Sequence, residues 1–142
     1  MVELPGFVQP WTIDDLPDDG RRWELVDGMP IVSPPPTFDH QRIVMALRDL
    51  LLAVDDIGFV GETLSITVDS GSYRVPDVAV LRDRSYPRGH VLRPADFLLA
   101  VEVVSPSSVT TDRITKPAQY AAWGIEGFWR VETEQIGRAS CR

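Results

Sequence analysis

Two carboxylates stand in segments whose other residues are mostly apolar. Asp77 follows Pro76 and opens the run DVAVL, and Glu102 lies inside the run DFLLAVEVV. A lone carboxylate in a buried strand is costly unless a partner compensates its charge. A hard divalent cation would satisfy both carboxylates, since Mg²⁺ prefers oxygen ligands, and the backbone carbonyl of Val103 would add another. The alternative is that Asp77 is a turn residue and that Glu102 pairs with a buried arginine.

Lys116 is the one lysine of the chain and begins the helix predicted after Glu102. An ammonium beside two carboxylates would stabilise negative charge on a phosphate under attack, or orient the attacking water. Pro117 disfavours helical angles in the residue before it, so Lys116 is expected at the helix cap rather than on the helical face. The alternative for Lys116 is an ordinary solvated lysine. Tyr120 shares the helical face of Lys116, and a core position is favoured for it.

The surrounding segments predict the elements that carry these residues. RRWELVDGMPIVS contains two short extended runs around an Asp-Gly dipeptide, which is a strong hairpin signal. Apolar residues recur at helical spacing over residues 38–55, with Thr37 or Asp39 as the cap. FVGETLSITVD, YRVPDVAVLRD and DFLLAVEVV predict strands, and a helix after SPSS leads to a further strand, GFWRVET. This order predicts an α/β sheet covered by helices, with Glu102 in a central strand.

Five motifs follow one another along the chain: RRWELVDG, HQRIV, YRVPDVAVL, LAVEVVSPSS and DRITKPAQYAAWGIEGFW. In this order they resemble the Uma-type restriction endonuclease family of the PD-(D/E)XK nuclease superfamily. The resemblance extends over residues 20–132, which is most of the chain. It implies a restriction-endonuclease-like fold, a mixed central β-sheet flanked by helices. It also implies Mg²⁺-dependent hydrolysis of DNA phosphodiester bonds, with Mn²⁺ as an alternative cation.

The same resemblance assigns roles to the three central residues. Asp77 supplies the acid after the signature proline, and Glu102 supplies the second acid. The place two residues after Glu102 is Val104, and the family takes its lysine from the following helix, which corresponds to Lys116. Metal-bound water would attack phosphorus while the metal polarises the phosphate. Lys116 would then be the catalytic cation.

Two further residues take accessory roles by the resemblance. Glu24 lies in the predicted strand RWELV, and alternation places it on the face opposite Trp23 and Leu25. It would be an accessory acid at the metal or a partner of Lys116, and an exposed hairpin residue is the alternative. His40 begins the long helix and would contact phosphate or help a proton move, since histidine titrates near neutrality. Its alternative is a helix-start histidine bound to backbone or water.

The charge of the chain narrows the classes of function. The formal net charge is -7, whereas a simple DNA-binding module would be basic. The negative net charge is weaker evidence against a metal-dependent nuclease, because metal cations at its site would screen the repulsion between the protein and DNA. A catalytically degenerate nuclease fold, kept as a nucleic-acid or protein interaction module, is therefore the rival function. For the nuclease, the loop arginines near one another in the sequence would line a DNA groove: Arg82, Arg84, Arg88 and Arg93. A homodimer is expected as well, because cleavage of both DNA strands favours two sites.

A single nuclease-like domain is expected over residues 1–135. The last residues, IGRASCR, resemble a translated sequencing adapter, so 136–142 are expected to be a non-native tail and the natural chain to continue beyond Gln135. Without Cys141 the chain has no cysteine, which excludes disulfides and thiolate metal sites. No secretory leader is visible, and no apolar run approaches the roughly 20 residues of a membrane helix. A cytoplasmic protein without a membrane partner is expected.

Overall fold

The computed structural model describes residues 9–133 of the chain. Its α-helices are α1 (Phe38–Leu52) and α2 (Lys116–Ala122), and a π-helical turn, Thr111–Thr115, leads directly into α2. Its strands are β1 (Arg22–Val26), β2 (Met29–Ser33), β3 (Phe59–Glu62), β4 (Ile66–Asp69), β5 (Ser72–Arg74), β6 (Val78–Leu81), β7 (Phe97–Val103) and β8 (Gly127–Val131). These strands form two four-stranded sheets, β2-β1-β5-β4 and β3-β6-β7-β8. The mixed α/β class is confirmed, with the strands divided between two sheets.

The first sheet is antiparallel and contains the predicted hairpin. At the turn between β1 and β2, Asp27 and Gly28 have φ values of 48° and 78°. Two successive positive φ values are what a two-residue turn of type I′ requires. A Cβ on Gly28 would lie 2.4 Å from the Cβ of Pro10. Glycine is therefore needed both for the turn and for the approach of the N-terminal segment.

The second sheet has β7 in an interior position, buried on both faces as its apolar sequence predicts. β7 pairs antiparallel with β6 and parallel with β8, and α2 lies in the crossover between β7 and β8. On one face, Val101 of β7 packs in a core with Val44 of α1. On the other face, Ala100 packs in a second core with Tyr120 of α2. Glu102 points to the same face as Ala100, toward α2.

Two stretches predicted as single strands are each divided between the sheets. FVGETLSITVD forms β3 in the second sheet and β4 in the first, and Thr63 between them has a φ of 51°. YRVPDVAVLRD forms β5 in the first sheet and β6 in the second. Pro76 lies between β5 and β6, where proline fits because it has no N–H for a sheet ladder. The prediction of two unbroken strands was wrong, and the second crossing places Asp77 between the sheets.

The helix α1 carries His40 in its first turn. Of the two predicted caps, Thr37 and Asp39, the cap is Thr37, whose side chain accepts a hydrogen bond from the backbone N–H of His40 at 3.2 Å. The helix ends at Leu52, slightly before the predicted residue 55. Val44 and Leu51 bury its apolar face against the second sheet, which fixes the direction in which the first turn faces.

Within residues 9–133, no helix has the length and apolar character needed to cross a membrane. The predicted domain end at residue 135 and the predicted non-native tail at 136–142 lie outside the described residues. The single-domain organisation stays a prediction.

Candidate active site

A cleft of about 720 Å³ opens between the β1–β2 hairpin, the start of α1 and the segment that enters α2. All five side chains predicted for the site line this cleft: Glu24, His40, Asp77, Glu102 and Lys116. They come from β1, α1, the crossing between the sheets, β7 and α2. Residues far apart in the sequence are thus gathered on the wall of one cleft.

Asp77 is buried and receives contacts from three elements. Its Oδ1 accepts a hydrogen bond from Nη1 of Arg22 at 2.7 Å, and its Oδ2 accepts one from the backbone N–H of Val103 at 2.8 Å. Nε2 of His40 lies 3.4 Å from the same Oδ2. Burial alone would raise the pKa of Asp77, but the hydrogen bond from His40 and the charge of Arg22 outweigh it and lower the pKa to about 2. Asp77 is therefore a charged carboxylate at neutral pH.

Glu102 is 1% exposed, and both its oxygens bind side chains of α2. Nζ of Lys116 donates to Oε2 at 2.9 Å, and the hydroxyl of Tyr120 donates to Oε1 at 2.6 Å. Burial raises the pKa of Glu102 to about 7 against the opposing charge of Lys116, and the negative charge of Asp77 adds to the rise. The cation that pairs with Glu102 is thus Lys116, and the buried-arginine alternative was wrong for this residue.

Lys116 is 4% exposed, so the solvated alternative was wrong. Its Nζ lies between Glu102 and Asp112, 3.1 Å from Oδ1 of Asp112. Burial would lower the pKa of Lys116, but the charge of Glu102 outweighs it and raises the pKa, which keeps the ammonium charged.

The predicted cap position of Lys116 was also wrong, because its backbone is helical, with φ -64° and ψ -43°. Its N–H donates to the carbonyl of Thr111, five residues back. This π-type turn is wider than an α-turn and allows Pro117 to follow within the helical path. The amine of Lys116 consequently projects from a helix face that also carries Asp112 and Tyr120.

Glu24 is 2% exposed, so the exposed-hairpin alternative was wrong. Its Oε2 lies 3.1 Å from Nη1 of Arg74, and its Oε1 accepts a hydrogen bond from the backbone N–H of Val75 at 2.9 Å. Arg74 also donates through Nε to the side chain of Gln119 on α2 at 2.9 Å. The direct side-chain partner of Glu24 is Arg74. The negative charge of Glu24 also acts on Lys116 at longer range and helps to raise the pKa of that lysine.

His40 combines the two alternatives considered for it. Its backbone N–H bonds to Thr37, as a helix-start residue would, and its imidazole faces Asp77. The hydrogen bond to Asp77 raises the pKa of His40, so the protonated ring is favoured next to the carboxylate. Nδ1 is buried without a hydrogen-bond partner within the described part of the chain.

Sequence reasoning missed Arg22 and Asp112. Arg22 is two residues from Glu24 in β1, so strand alternation places both on one face and was a usable signal. Asp112 is four residues before Lys116, a spacing that places both on one helical face. Neither signal was used, because an arginine in a hairpin and an aspartate near a helix start are ordinarily solvated.

The loop arginines expected in a DNA groove lie outside this cleft. Arg82 and Arg84 instead pair with Glu126 and Asp56 at 2.8 and 2.9 Å, on the exposed surface. The lysine and arginines of the cleft wall are Lys116 of α2, Arg74 of β5, Arg22 of β1 and Arg21 just before β1. Whether the loop arginines contact DNA stays a prediction, since charge clustering in a loop does not reveal which side of the molecule the loop covers.

The oxygen atoms around Asp77 are of the kind that hold a hard divalent cation. Val103 donates its N–H to Asp77. The N–H and C=O of one strand residue point to the same side, so the carbonyl of Val103 is expected at the edge of β7 where Asp77 lies. No three His, Cys, Asp or Glu side chains of residues 9–133 are grouped for a metal. A cation here would rely on two carboxylates and one carbonyl, with water and substrate completing its shell, as Mg²⁺ commonly does.

Known proteins provide an independent comparison. The chain resembles a solved structure described as "Crystal structure of a putative nuclease belonging to DUF820 from Anabaena variabilis ATCC 29413". The TM-score is 0.69 and the sequence identity is 22%, and the match covers 87% of this chain and 74% of that one. At this identity the likeness shows a shared fold. No curated protein sequence matches the chain. The model of the Uma2 family matches residues 12–137, nearly the whole chain. The chain therefore belongs to the Uma2 family, which is described as "Putative restriction endonuclease".

Proposed function

We propose that the chain is a metal-dependent endonuclease that hydrolyses DNA phosphodiester bonds. Asp77, Glu102 and the carbonyl of Val103 would hold Mg²⁺, or Mn²⁺ in its place. The observation that carries the proposal is a pair of buried acids beside a buried lysine on the wall of one cleft. Buried charges are costly, and buried acids with shifted pKa values concentrate at functional sites. The descriptions of the family and of the structural neighbour, which both name nucleases, support this proposal.

Each residue has a distinct part in this mechanism. The bound cation would lower the pKa of a coordinated water and polarise the phosphate. Lys116 would place its positive charge beside the phosphate oxygens as they gain negative charge in the transition state. Because both Glu102 and Asp112 form ion pairs with its ammonium, little reorientation is needed. His40, next to Asp77, would contact phosphate or exchange a proton at Nε2, and Glu24 would support the wall through Arg74.

A non-catalytic interaction module is the second candidate. Its support is that each acid already has a protein cation, Arg22 on Asp77 and Lys116 on Glu102. Such pairs satisfy the buried charges without a metal. In this case the cleft would bind nucleic acid or protein without hydrolysis.

Nicking of supercoiled plasmid in Mg²⁺, with a parallel series in Mn²⁺, tests the mechanism. We expect the wild type to nick, and Glu102→Gln and Lys116→Ala to be slower by roughly 100-fold or more, the cost of losing one stabiliser of transition-state charge. Glu126→Gln is the matched control, because this exposed acid pairs with Arg82 away from the cleft. Equal nicking by all four proteins contradicts the mechanism. A wild type that is inactive with both cations supports the interaction module.

We also propose that the protein acts as a homodimer in the cytoplasm. Two sites would cut both strands of a duplex in one encounter. Linear plasmid formed together with the nicked form, and a dimeric mass in sedimentation, are the expected results. A monomeric mass with nicks alone contradicts the dimer and leaves the chemistry of the site intact.

A further inference from the structure

Arg22 is a charged residue of the cleft to which neither the sequence motifs nor the mechanism gives a task. It is the first residue of β1, and its side chain is 27% exposed, at the mouth of the site. Nη1 donates to Oδ1 of Asp77 at 2.7 Å. Nε is buried and has no hydrogen-bond partner among the described residues. A buried guanidinium nitrogen without a hydrogen-bond partner is uncommon, and it favours a ligand that accepts a hydrogen bond from it.

We infer that Arg22 takes the place of the divalent cation on Asp77 and, once the cation displaces it, binds a phosphate of the DNA. This inference rests on the proposed function, because it concerns the same cation and the same substrate. It adds an order of events, in which metal binding frees the arginine that then contacts the substrate.

The competition for Asp77 follows from the use of its two oxygens. Oδ2 accepts the N–H of Val103 and lies beside His40, whereas Oδ1 faces Arg22. The backbone hydrogen bond is fixed by the sheet, so the contact that can yield to a cation is the one with Arg22. A guanidinium and a divalent cation on one carboxylate repel each other, and their repulsion is strong where water is scarce. The metal therefore binds at the expense of the Arg22–Asp77 ion pair.

The second part follows from the chemistry of a released guanidinium. Arginine stays charged at every relevant pH, and its fork of N–H donors matches the oxygens of a phosphate. Arg22 is partly exposed at the cleft, and Lys116 is on the wall of the same cleft. A phosphate that approaches Lys116 would come within the reach of a freed Arg22, and would supply the partner that Nε lacks.

Mn²⁺ binding tests the competition, with the free ion measured by electron paramagnetic resonance. We expect Arg22→Gln to bind Mn²⁺ roughly tenfold more tightly than the wild type, because an uncompensated buried carboxylate attracts a cation more strongly. Arg42→Gln is the matched control, since it removes the same charge from an exposed residue of α1 that pairs with Asp39 outside the cleft. Equal or weaker binding by Arg22→Gln overturns the competition. A wild type that binds no Mn²⁺ contradicts the proposed function itself, which is a different failure.

Thermal unfolding covers the case in which Arg22→Gln is too unstable to titrate. In chelator we expect this variant to melt below the wild type, and Mn²⁺ to raise its melting temperature by more than it raises that of the wild type. If the variant is unfolded without metal, its folding on addition of Mn²⁺ also supports competition between Arg22 and the cation. An equal rise in both proteins, or no folding with Mn²⁺, overturns the competition.

Binding of a short duplex in Ca²⁺, measured by fluorescence anisotropy, tests the contact with phosphate. We expect Arg22→Gln to bind roughly tenfold more weakly than the wild type, the loss typical of a hydrogen-bonded charged contact. Arg22→Lys should lie between them, because it keeps the charge and loses the fork. Arg42→Gln, on the exposed face of α1, should bind as the wild type does. Duplex binding by Arg22→Gln at wild-type strength overturns the contact with phosphate.

Discussion

The two acids of the site differ in charge because their neighbours differ. Burial opposes the charge of Asp77, but the hydrogen bond from His40 and the guanidinium of Arg22 lower its pKa to about 2. Glu102 is more deeply buried, and its pKa rises to about 7. Groups whose pKa values are driven apart are suited to different tasks. At neutral pH one acid holds a permanent negative charge, and the other changes its charge readily.

The raised pKa of Glu102 predicts that the metal-free protein loses stability as pH rises. The proton binds the folded form more tightly, since the pKa is about 7 in place of 4.5. The stabilisation is complete below pH 4.5 and is lost as pH rises toward 7, by up to about 3 kcal/mol in the free energy of unfolding. Urea unfolding in chelator between pH 4.5 and 8 measures this loss. Glu102→Gln should flatten the profile, and an unchanged slope contradicts the assignment.

The hydroxyl of Tyr120 predicts a second effect on the same acid. Tyr120→Phe removes the hydrogen bond to Glu102 and leaves the ring in the core. We expect the free energy of unfolding to fall by about 1–3 kcal/mol at pH 8, because a buried carboxylate loses a donor. Urea unfolding measures this change. Tyr86→Phe is the control, since the hydrogen bonds of its hydroxyl are long, at 3.3 and 3.5 Å. An equal fall in the free energy of unfolding in both variants would contradict a specific role of the Tyr120 hydroxyl at Glu102.

At the scale of elements, the π-turn before α2 sets the position of Lys116. The turn carries Asp112, whose Oδ2 bonds to the hydroxyl of Ser108 and whose Oδ1 lies beside Nζ of Lys116. The residues around SPSS thus anchor an aspartate that gives Lys116 a second ion pair beside the one with Glu102. π-turns within helices often occur at functional sites, and here the turn reconciles Pro117 with a helical lysine.

Asp112→Asn is therefore predicted to loosen Lys116. The amide can still bond to Ser108, but the ammonium loses one of its two negative partners. We expect the free energy of unfolding to fall by about 1–3 kcal/mol, the cost of a weakened buried charge contact, and plasmid nicking to slow. Denaturant unfolding and the nicking rate measure the two effects. Asp55→Asn, at an exposed acid after the end of α1, should change neither, and the same result for Asp112→Asn would show that Glu102 alone holds the lysine.

Strong local signals made several elements predictable from the sequence. The Asp-Gly turn predicted the hairpin, and an apolar run around one acid predicted β7. The five residues expected at the site do meet in one cleft. The two sheet crossings could not be predicted, because β-branched composition is the same on both sides of a crossing. Arg22, the partner of Asp77, and Asp112, a partner of Lys116, were missed although strand alternation and helical spacing pointed to them. Such residues are ordinarily solvated, and only the packing of distant elements buries them here.

At the scale of the molecule, the site joins the two sheets. β1 and β5 of the first sheet carry Glu24 and Arg74, β7 of the second carries Glu102, and the chain crosses between the sheets at Asp77. The cleft wall therefore mixes acids and bases, while the chain as a whole has a net charge of -7. In the proposed nuclease, attraction of DNA would then depend on a few local cations and on bound metal, since the overall field repels phosphate.

This charge distribution predicts DNA binding that requires divalent cations and depends only weakly on salt. Two or three cations at the cleft would release as many counterions, so the logarithm of the binding constant should fall with the logarithm of salt concentration with a slope of about -2 to -3. A basic DNA-binding domain that contacts many phosphates has a far steeper slope. Anisotropy of a short duplex in Ca²⁺, titrated with KCl, measures the slope, and chelator at equal ionic strength is the control. Binding that is as strong in chelator, or that has a steep slope, would place the DNA on another surface of the protein.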